Sequence, residues 1–381
     1  MSDSPFERLT LDDLRRHTSA KWRAHPPDVL PLWVAEMDVL PAPAVVDAVS
    51  DAMCRGDTGY AMEEPYLEAL QDFAADRWGW DFELTSATTV ADVMRGAMEA
   101  ITLATPAGGS VIVSPPVYPP FYEFLDHADR RIVEAPLGDD GRLDLGGLER
   151  AFGIASAEGP ASYLLCNPQN PTGTVHTRDE LAAVAELAAM NRIRVVSDEI
   201  HAPLTLSGAR FVPYLEVAGD ADAVAVHSAS KGWNLPGLKA AVAVFGDAAR
   251  PDLASLPEII PHGASHLGVI AHTAGLRHGR DWLDEVIVAI EGNVQRFRDL
   301  LTERLPEATY VPGAATYLAW VDVSALGLGD DPASRLLERG RVAVVGGPHF
   351  GAGGEGYVRV NLATSASILE EAVDRIAASL G

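Results

Sequence analysis

The chain is poor in cysteine, and it has no long hydrophobic run. Its 381 residues include only two cysteines, Cys54 and Cys166, which form no CxxC pair. Isolated cysteines predict neither a disulfide framework nor a zinc site, and the histidines show no convincing metal spacing, so we expect a metal-free protein of the reducing cytoplasm. The polar first residues lack the pattern of a secretory signal. No apolar stretch approaches the ~20 residues that span a bilayer.

Positive charge is scarce as well. The 29 lysine and arginine residues are outnumbered by 54 aspartate and glutamate residues, which gives a formal net charge of −25. Such a surface repels nucleic acids and anionic membranes, so we expect neither as a partner. A site for an anionic small molecule therefore needs its own local positive charges.

Lysine is the rarest source of that charge. The chain contains only Lys21, Lys231 and Lys239. Arginine serves surface solvation equally well, so each lysine is a candidate for chemistry that arginine cannot perform. Formation of a Schiff base is such chemistry, because it requires an amine that can lose its proton.

Helical and strand patterns alternate from about residue 42. The predicted strands span residues 110–114, 162–166, 192–196 and 223–227. A helix is predicted after Thr177, which forms a capping box with Glu180. Short apolar strands that alternate with amphipathic helices predict a mostly parallel sheet with helices on both faces.

The pattern changes near residue 280. Residues 281–305 are predicted as one long helix with an apolar stripe, followed by strands at 317–321 and 357–362. A terminal helix is predicted to begin at a capping box of Ser367 and Glu370. The expected divisions are a segment 1–41 that joins the small domain, a large domain 42–280 and a small α/β domain 281–381.

Polar loops follow three of the predicted strands. The first loop, NPQNPTG, contains Asn170; the second, SDEIH, contains Asp198; the third, SASK, ends at Lys231. Each loop alone is compatible with an ordinary turn or helix cap. Ligands of parallel sheets bind beyond the carboxyl ends of the strands, so together these loops indicate one site.

The residue types in these loops match the needs of pyridoxal-5′-phosphate (PLP). Asp198 can keep the pyridine nitrogen protonated by ion pairing, which makes the ring an electron sink. Asn170 can donate a hydrogen bond to the phenolate oxygen. Lys231 can form the Schiff base and then move the Cα proton of the substrate. Ser228, Ser230 and a helix N-terminus can bind the phosphate dianion.

With these motifs the chain resembles the fold-type I, aspartate-aminotransferase-like PLP enzymes over essentially its whole length. The resemblance implies an α/β fold, in which a large domain with a mostly parallel, helix-covered sheet is joined to a smaller α/β domain. It also implies a PLP-dependent enzyme that acts on a small-molecule amino acid. A homodimer is expected, because enzymes of this type share residues across the subunit interface.

The resemblance assigns further residues to cofactor and substrate. Tyr118 matches the aromatic residue that stacks on the PLP ring, and Tyr60 matches the tyrosine that reaches the phosphate of the neighbouring subunit. Lys239 takes the usual place of a phosphate-binding arginine. Arg359 matches the arginine that binds the substrate α-carboxylate with its planar fork.

The phosphate loop departs from the family pattern. Many relatives have a glycine-rich loop where this chain has Ala91, Asp92 and Val93. An acidic side chain at this position repels phosphate unless it points away. We therefore expect the backbone amides at the start of the following helix to bind the phosphate.

Two sequences resemble the MalY/PatB-type cystathionine β-lyases within this superfamily. Residues 33–38, WVAEMD, resemble the WVADMD signature and place Trp33 and Ala35 near the substrate. DEIH, ending at His201, resembles the group's DEIH, where general aminotransferases more often end in tyrosine. The implied reaction is α,β-elimination of a cysteine S-conjugate. An aminotransferase that uses the same residues, or a PLP-binding regulator, is the alternative; Trp33 and His201 are also compatible with ordinary core positions.

Overall fold

The computed structural model describes residues 4–380, and its largest element is a seven-stranded sheet. The strands lie in the spatial order Ala87–Val90, Ala241–Phe245, Ala223–His227, Ile193–Asp198, Ala161–Cys166, Ser110–Val113 and Arg131–Glu134. Ala241–Phe245 runs antiparallel to both of its neighbours, and the other adjacent strands are parallel. The prediction of an α/β fold with a mostly parallel sheet is confirmed.

The central strands are buried on both faces because helices cover the sheet on either side. In Ala161–Cys166, Tyr163 and Leu165 belong to one hydrophobic cluster, whereas Leu164 belongs to another. Successive side chains of a strand point to opposite faces, so these are the two sides of the sheet. The helices in this part of the chain are Pro43–Arg55, Glu64–Trp78, Val93–Ala104, Pro120–His127, Leu145–Glu158, Arg178–Asn191, Tyr214–Val217, Arg250–Leu253 and His266–His278.

A smaller antiparallel sheet follows in the C-terminal part of the chain. Its strands lie in the order Val345–Gly346, Tyr357–Asn361, Leu318–Asp322 and Thr309–Tyr310. The short strand Leu30–Pro31 pairs in parallel with Val342–Ala343. The remaining helices are Leu11–Leu14, Ala20–Arg23, Arg280–Arg304, Pro332–Arg335 and Ala366–Ala378, with a π-helical turn at Leu336–Gly340. Turns of 3₁₀ helix lie at Pro5–Glu7, Leu84–Ser86, Ala202–Leu204, Pro261–Gly263, Ser324–Leu326 and Gly347–Phe350.

The helix Arg280–Arg304 is shared between two hydrophobic cores. Its first half contributes Val286 and Ile290 to the core of the larger sheet, and its second half contributes Phe297 and Leu301 to a separate core. That second core also contains residues from the N-terminal segment and from the C-terminal helix: Leu14, Trp22, Leu30, Ile368 and Leu369. The division of domains at residue 280 stays a prediction, because one continuous helix joins both cores.

The helix ends show one local sequence signal that succeeds and one that fails. Thr177 and Glu180 form the predicted capping box of Arg178–Asn191. The predicted cap of the last helix at Ser367 is wrong: the cap is Ser365, whose backbone is extended and whose hydroxyl accepts a hydrogen bond from the amide of Ile368. Ser367 lies inside the first turn of that helix, where it cannot take the extended cap conformation.

Candidate active site

A cavity of about 300 Å³ lies at the carboxyl ends of the central strands. Most of the residues predicted for the site line it: Ala35, Asp92, Val93, Tyr118, Asn170, Asp198, His201, Ser228, Ser230, Lys231 and Lys239. The three polar loops therefore meet, as parallel strands that end at one edge require. Cys166 and Ile200 also line the cavity; as apolar residues next to predicted site residues they carry no sequence signal of their own.

Lys231 is a partly buried amine in the wall of the cavity. Its Nζ donates a hydrogen bond of 2.8 Å to the carbonyl oxygen of Ala35. Burial and the nearby Arg359 guanidinium lower the pKa of Lys231 to about 8, against an opposing effect of the Asp198 carboxylate. A lysine with this pKa is partly uncharged near neutral pH, and the uncharged amine is the form that attacks a carbonyl.

Asp198 is a buried carboxyl group at the end of its strand, 4% exposed. One of its oxygens accepts a hydrogen bond of 3.1 Å from the amide of Ile200. Burial raises the pKa of Asp198 to about 7, although this hydrogen bond and the charge of Lys231 act in the opposite direction. A cation brought next to this carboxyl group would stabilise its ionised form.

Arg359 lies in the strand Tyr357–Asn361 and is 5% exposed. Its Nη1 donates to the side-chain oxygen of Asn170 at 3.1 Å, and its Nη2 donates to the carbonyl oxygen of Trp33 at 3.0 Å. Burial lowers the pKa of Arg359 to about 10, so it remains a cation at neutral pH. No carboxylate among residues 4–380 lies within ion-pair distance of it. A buried guanidinium without a counter-ion is suited to bind an anion.

The backbone of residues 33–38 is held by polar side chains from both sheets. The carbonyl oxygens of the first three residues each accept a side-chain hydrogen bond: Trp33 from Arg359, Val34 from Asn361 and Ala35 from Lys231. The side chain of Asn234 accepts from the amide of Met37 and donates to its carbonyl oxygen, both at 2.8 Å. The segment thus meets the site through its backbone, whereas the Trp33 side chain lines a separate cavity.

A fully buried ion pair fixes the end of the same segment. Lys21 Nζ lies 2.8 Å from Asp38 Oδ2 and donates to the carbonyl oxygen of Glu36 at 2.9 Å. The indole of Trp22 donates to Asp38 Oδ1 at 2.9 Å. Lys21 therefore has a structural partner. The sequence analysis predicted neither this ion pair nor the contacts of Asn234 and Asn361, because contacts between distant residues leave no local pattern.

The loop expected to bind phosphate leads into the helix Val93–Ala104. Asp92 is the N-cap of that helix and accepts a hydrogen bond of 2.9 Å from the amide of Arg95. Its other oxygen lies 3.0 Å from Lys239 Nζ. The charge of Asp92, which would repel a phosphate, is therefore balanced by Lys239. Ala91 does not line the cavity.

The serine loop is held by its own hydrogen bonds. Ser228 Oγ donates to the carbonyl oxygen of Ala240 at 2.7 Å and accepts from the amide of Ser230 at 3.1 Å. These bonds shape the turn that leads to Lys231. The Ser228 hydroxyl is thus partly used within the loop, and Ser230 also lines the cavity.

The remaining predicted residues differ in their location. Burial raises the pKa of Tyr118 to about 12, so its phenol is neutral in the cavity wall. Burial and the charges of Lys231 and Arg359 hold the pKa of His201 well below its usual range, so this imidazole is neutral as well. Tyr60 is 86% exposed and lies outside the cavity of this chain. Its expected contact with a neighbouring subunit stays a prediction.

The fold is that of the aspartate-aminotransferase-like α/β proteins. The chain belongs to the class I and II aminotransferase family, whose model matches residues 27–376. It is 51% identical to a Mycobacterium leprae (strain TN) protein provisionally named a cystathionine beta-lyase, over 100% of this chain and 99% of that protein. It is 35% identical to the cystathionine beta-lyase of Corynebacterium glutamicum, over 97% and 99% of the two chains.

A solved structure gives the same result. A protein of Corynebacterium diphtheriae, provisionally described as a PLP-dependent beta-cystathionase, superposes with a TM-score of 0.91 and 34% identity over 99% of both chains. The expected family and fold are thereby confirmed. No helix among residues 4–380 combines the length and the apolar character needed to cross a membrane.

Proposed function

We propose that the protein is a PLP-dependent carbon–sulfur β-lyase, which converts a cysteine S-conjugate and water to a thiol, pyruvate and ammonia. One arrangement carries this proposal: Lys231 and Asp198 line the same cavity, and Arg359 donates a hydrogen bond to Asn170, which lines it too. An amine of lowered pKa, a buried carboxyl group and a buried unpaired guanidinium are the groups that amino-acid chemistry with PLP requires. The names of the family members reported above favour the lyase reaction.

The residues of the cavity fit PLP. Asp198 is buried with a raised pKa, so a protonated ring nitrogen is a partner that would restore its charge. Asn170 accepts from Arg359 through its oxygen, which leaves its NH₂ group to donate to the phenolate oxygen. Tyr118 can cover the ring, and Lys239 with the first amides of Val93–Ala104 can bind the phosphate. When bound, PLP withdraws electrons from the Cα atom of the amino acid.

The protein residues then have distinct tasks. Arg359 binds the α-carboxylate and orients the Cα–H bond. Lys231 would hold the cofactor, and its Nζ would take the Cα proton of the bound substrate. Asp198 keeps the proton on the ring nitrogen. The Ala35 carbonyl accepts from Lys231 in this structure and so can fix the direction of that amine.

An aminotransferase is the second candidate, because the matched family model is that of class I and II aminotransferases and the same residues would serve. A PLP-binding regulator without turnover is a third possibility, against which the complete set of Lys231, Asp198 and Arg359 argues. Parallel assays of the purified protein for pyruvate release and for keto-acid-dependent amine transfer separate these. Pyruvate without amine transfer supports the lyase; amine transfer without pyruvate contradicts it.

We also propose a homodimer that acts in the cytoplasm. Tyr60 is exposed, as are the nearby apolar side chains Met53 and Met62, which supports an interface that brings Tyr60 to the cofactor of the neighbouring subunit. Sedimentation at several concentrations tests the dimer. A Tyr60→Phe variant with weakened PLP binding, mixed with a Lys231→Ala variant, tests whether the tyrosine acts across the interface.

A further inference from the structure

Behind the cavity, the carboxyl group of Glu199 lies at the meeting point of three strand ends. Glu199 is 0% exposed, and it is absent from the residues that line the cavity. Its Oε1 accepts from Ser197 Oγ at 2.8 Å, from Asn167 Nδ2 at 3.3 Å and from the amide of Tyr214 at 2.8 Å. Its Oε2 lies 3.2 Å from Nε2 of His227.

Two of these partners, Asn167 and His227, and Glu199 itself lie next to loops of the site. Asn167 directly follows the strand Ala161–Cys166 and opens the loop that carries Asn170. Glu199 itself follows Asp198 at the end of the next strand. His227 is the last residue of the third strand, and the loop to Lys231 begins directly after it. One side chain thus connects the loops that carry the amide, the carboxyl group and the amine.

We propose that Glu199 is a positioning residue that sets the relative places of Asn170, Asp198 and Lys231. The inference rests on the proposed function, since these three residues matter together only if they hold one cofactor. Glu199 touches neither the cavity nor a reacting atom. It acts through the ends of three neighbouring parallel strands, which backbone hydrogen bonds also join.

Glu199 and His227 can keep their contact without burying charge. Burial raises the pKa of Glu199 to about 8 and lowers that of His227 to about 3, so both groups favour their neutral forms near pH 7. A protonated carboxyl group can donate from Oε2 to His227, while Oε1 accepts from its other partners. The contact therefore buries no net charge and avoids the large desolvation cost of an ion pair.

The His227 ring has little freedom to turn. It stacks on Trp78, with ring centroids 5.4 Å apart, and lies at the same distance from the ring of Trp80. Aromatic packing thus fixes the direction in which Nε2 points. The 3.2 Å contact between Glu199 Oε2 and this ring consequently acts on the strand end, and not merely on a mobile side chain.

Substitutions that differ in hydrogen bonding test the proposal. Glu199→Gln keeps an acceptor for Oε1 and a donor towards His227, whereas Glu199→Ala removes both. Ser162→Ala is the matched control: Ser162 is a fully buried residue of the same sheet whose hydroxyl lies 2.6 Å from that of Thr105, away from the cavity. The readouts are the Kd for PLP of the apo-protein, the visible absorption maximum of bound PLP, and the thermal unfolding of the apo-protein.

We expect Glu199→Gln to match the parent in Kd and spectrum within about twofold. Glu199→Ala should weaken PLP binding by about tenfold or more, the size expected for lost buried hydrogen bonds, and shift the absorption maximum. Ser162→Ala should lower Tm without changing Kd or spectrum. Parental Kd and spectrum in Glu199→Ala overturn the inference, as does a loss of PLP in Ser162→Ala equal to that in Glu199→Ala.

A second variant keeps the test decisive if Glu199→Ala does not fold. His227→Phe retains an aromatic ring between Trp78 and Trp80 but removes the contact between Glu199 and the strand that leads to Lys231. It should shift the absorption maximum of bound PLP, and an unchanged spectrum with unchanged Kd overturns the inference. If the parent protein binds no PLP, the proposed function fails, and this inference fails with it. If the parent binds PLP and the variants behave like the parent, only this inference fails and the proposed function stands.

Discussion

The guanidinium of Arg359 donates a hydrogen bond of 3.1 Å to the side-chain oxygen of Asn170. This contact joins the smaller sheet to a loop of the larger one. It also sets the orientation of the amide, because a guanidinium can only donate and so must face the oxygen. The NH₂ group of Asn170 is thereby left for the donor role that the sequence predicted.

Arg359→Ala should lower kcat/KM for an S-substituted cysteine by at least about tenfold, since a charge-assisted hydrogen bond contributes about 1.5–3 kcal/mol. Arg359→Lys should recover only part of this, because an ammonium group cannot reproduce the planar fork. Steady-state kinetics at matched PLP content measure the effect. A value for Arg359→Ala within about twofold of the parent would exclude the carboxylate-binding role.

Asp198→Asn should retain PLP but lose about 100-fold or more in turnover, as expected when a group that controls a proton is removed. An amide cannot hold the pyridine nitrogen in its protonated form, so the ring becomes a poorer electron sink. The PLP content is read from absorbance and the turnover from pyruvate release. Near-parental turnover would mean that another residue holds the nitrogen.

The rate of PLP binding to the apo-protein should rise with pH. The pKa of Lys231 is lowered to about 8, and only the deprotonated amine attacks the cofactor carbonyl, so the reactive fraction grows as pH increases through this value. Stopped-flow absorbance between pH 6 and pH 10 gives the midpoint, with Asp198→Asn as a control for titration of that carboxyl group. A rate that is still rising steeply at pH 10, as for an ordinary lysine with a pKa of about 10.4, contradicts the assigned environment.

Lys21→Met should destabilise the protein by about 3–5 kcal/mol, because it leaves the buried Asp38 without its partner. The matched control is Arg16→Met, which breaks an exposed pair with Asp13 and should cost no more than about 1 kcal/mol. Urea unfolding gives both free energies. Equal effects of the two substitutions would show that the buried pair does not anchor residues 33–38.

Local sequence signals predicted the parts of the site that follow strands. Asn170 and Lys231 lie in polar loops that follow apolar strands, and Asp198 is the last residue of such a strand, so the parallel topology alone brings them together. The family resemblance then added Arg359, which comes from a different sheet and which no local pattern connects to the cavity.

Contacts between distant residues could not be predicted. Asn234 and Asn361 look like ordinary loop and strand residues in the sequence, yet they hold the backbone of residues 33–38. Glu199 and His227 likewise have no shared periodicity. Ser365 and Ser367 are both suitable helix caps, and no local signal distinguishes them. The cap was therefore predicted two residues too late.

The most direct test of the account is the site of covalent attachment of PLP. The holo-protein should be yellow, and reduction with borohydride followed by peptide mapping should place the pyridoxyl group on Lys231. The two other lysines have carboxylate partners, Asp38 for Lys21 and Asp92 for Lys239. The pKa of Lys231 is lowered to about 8. A pyridoxyl group on Lys21 or Lys239, or on no lysine, would contradict the central claim.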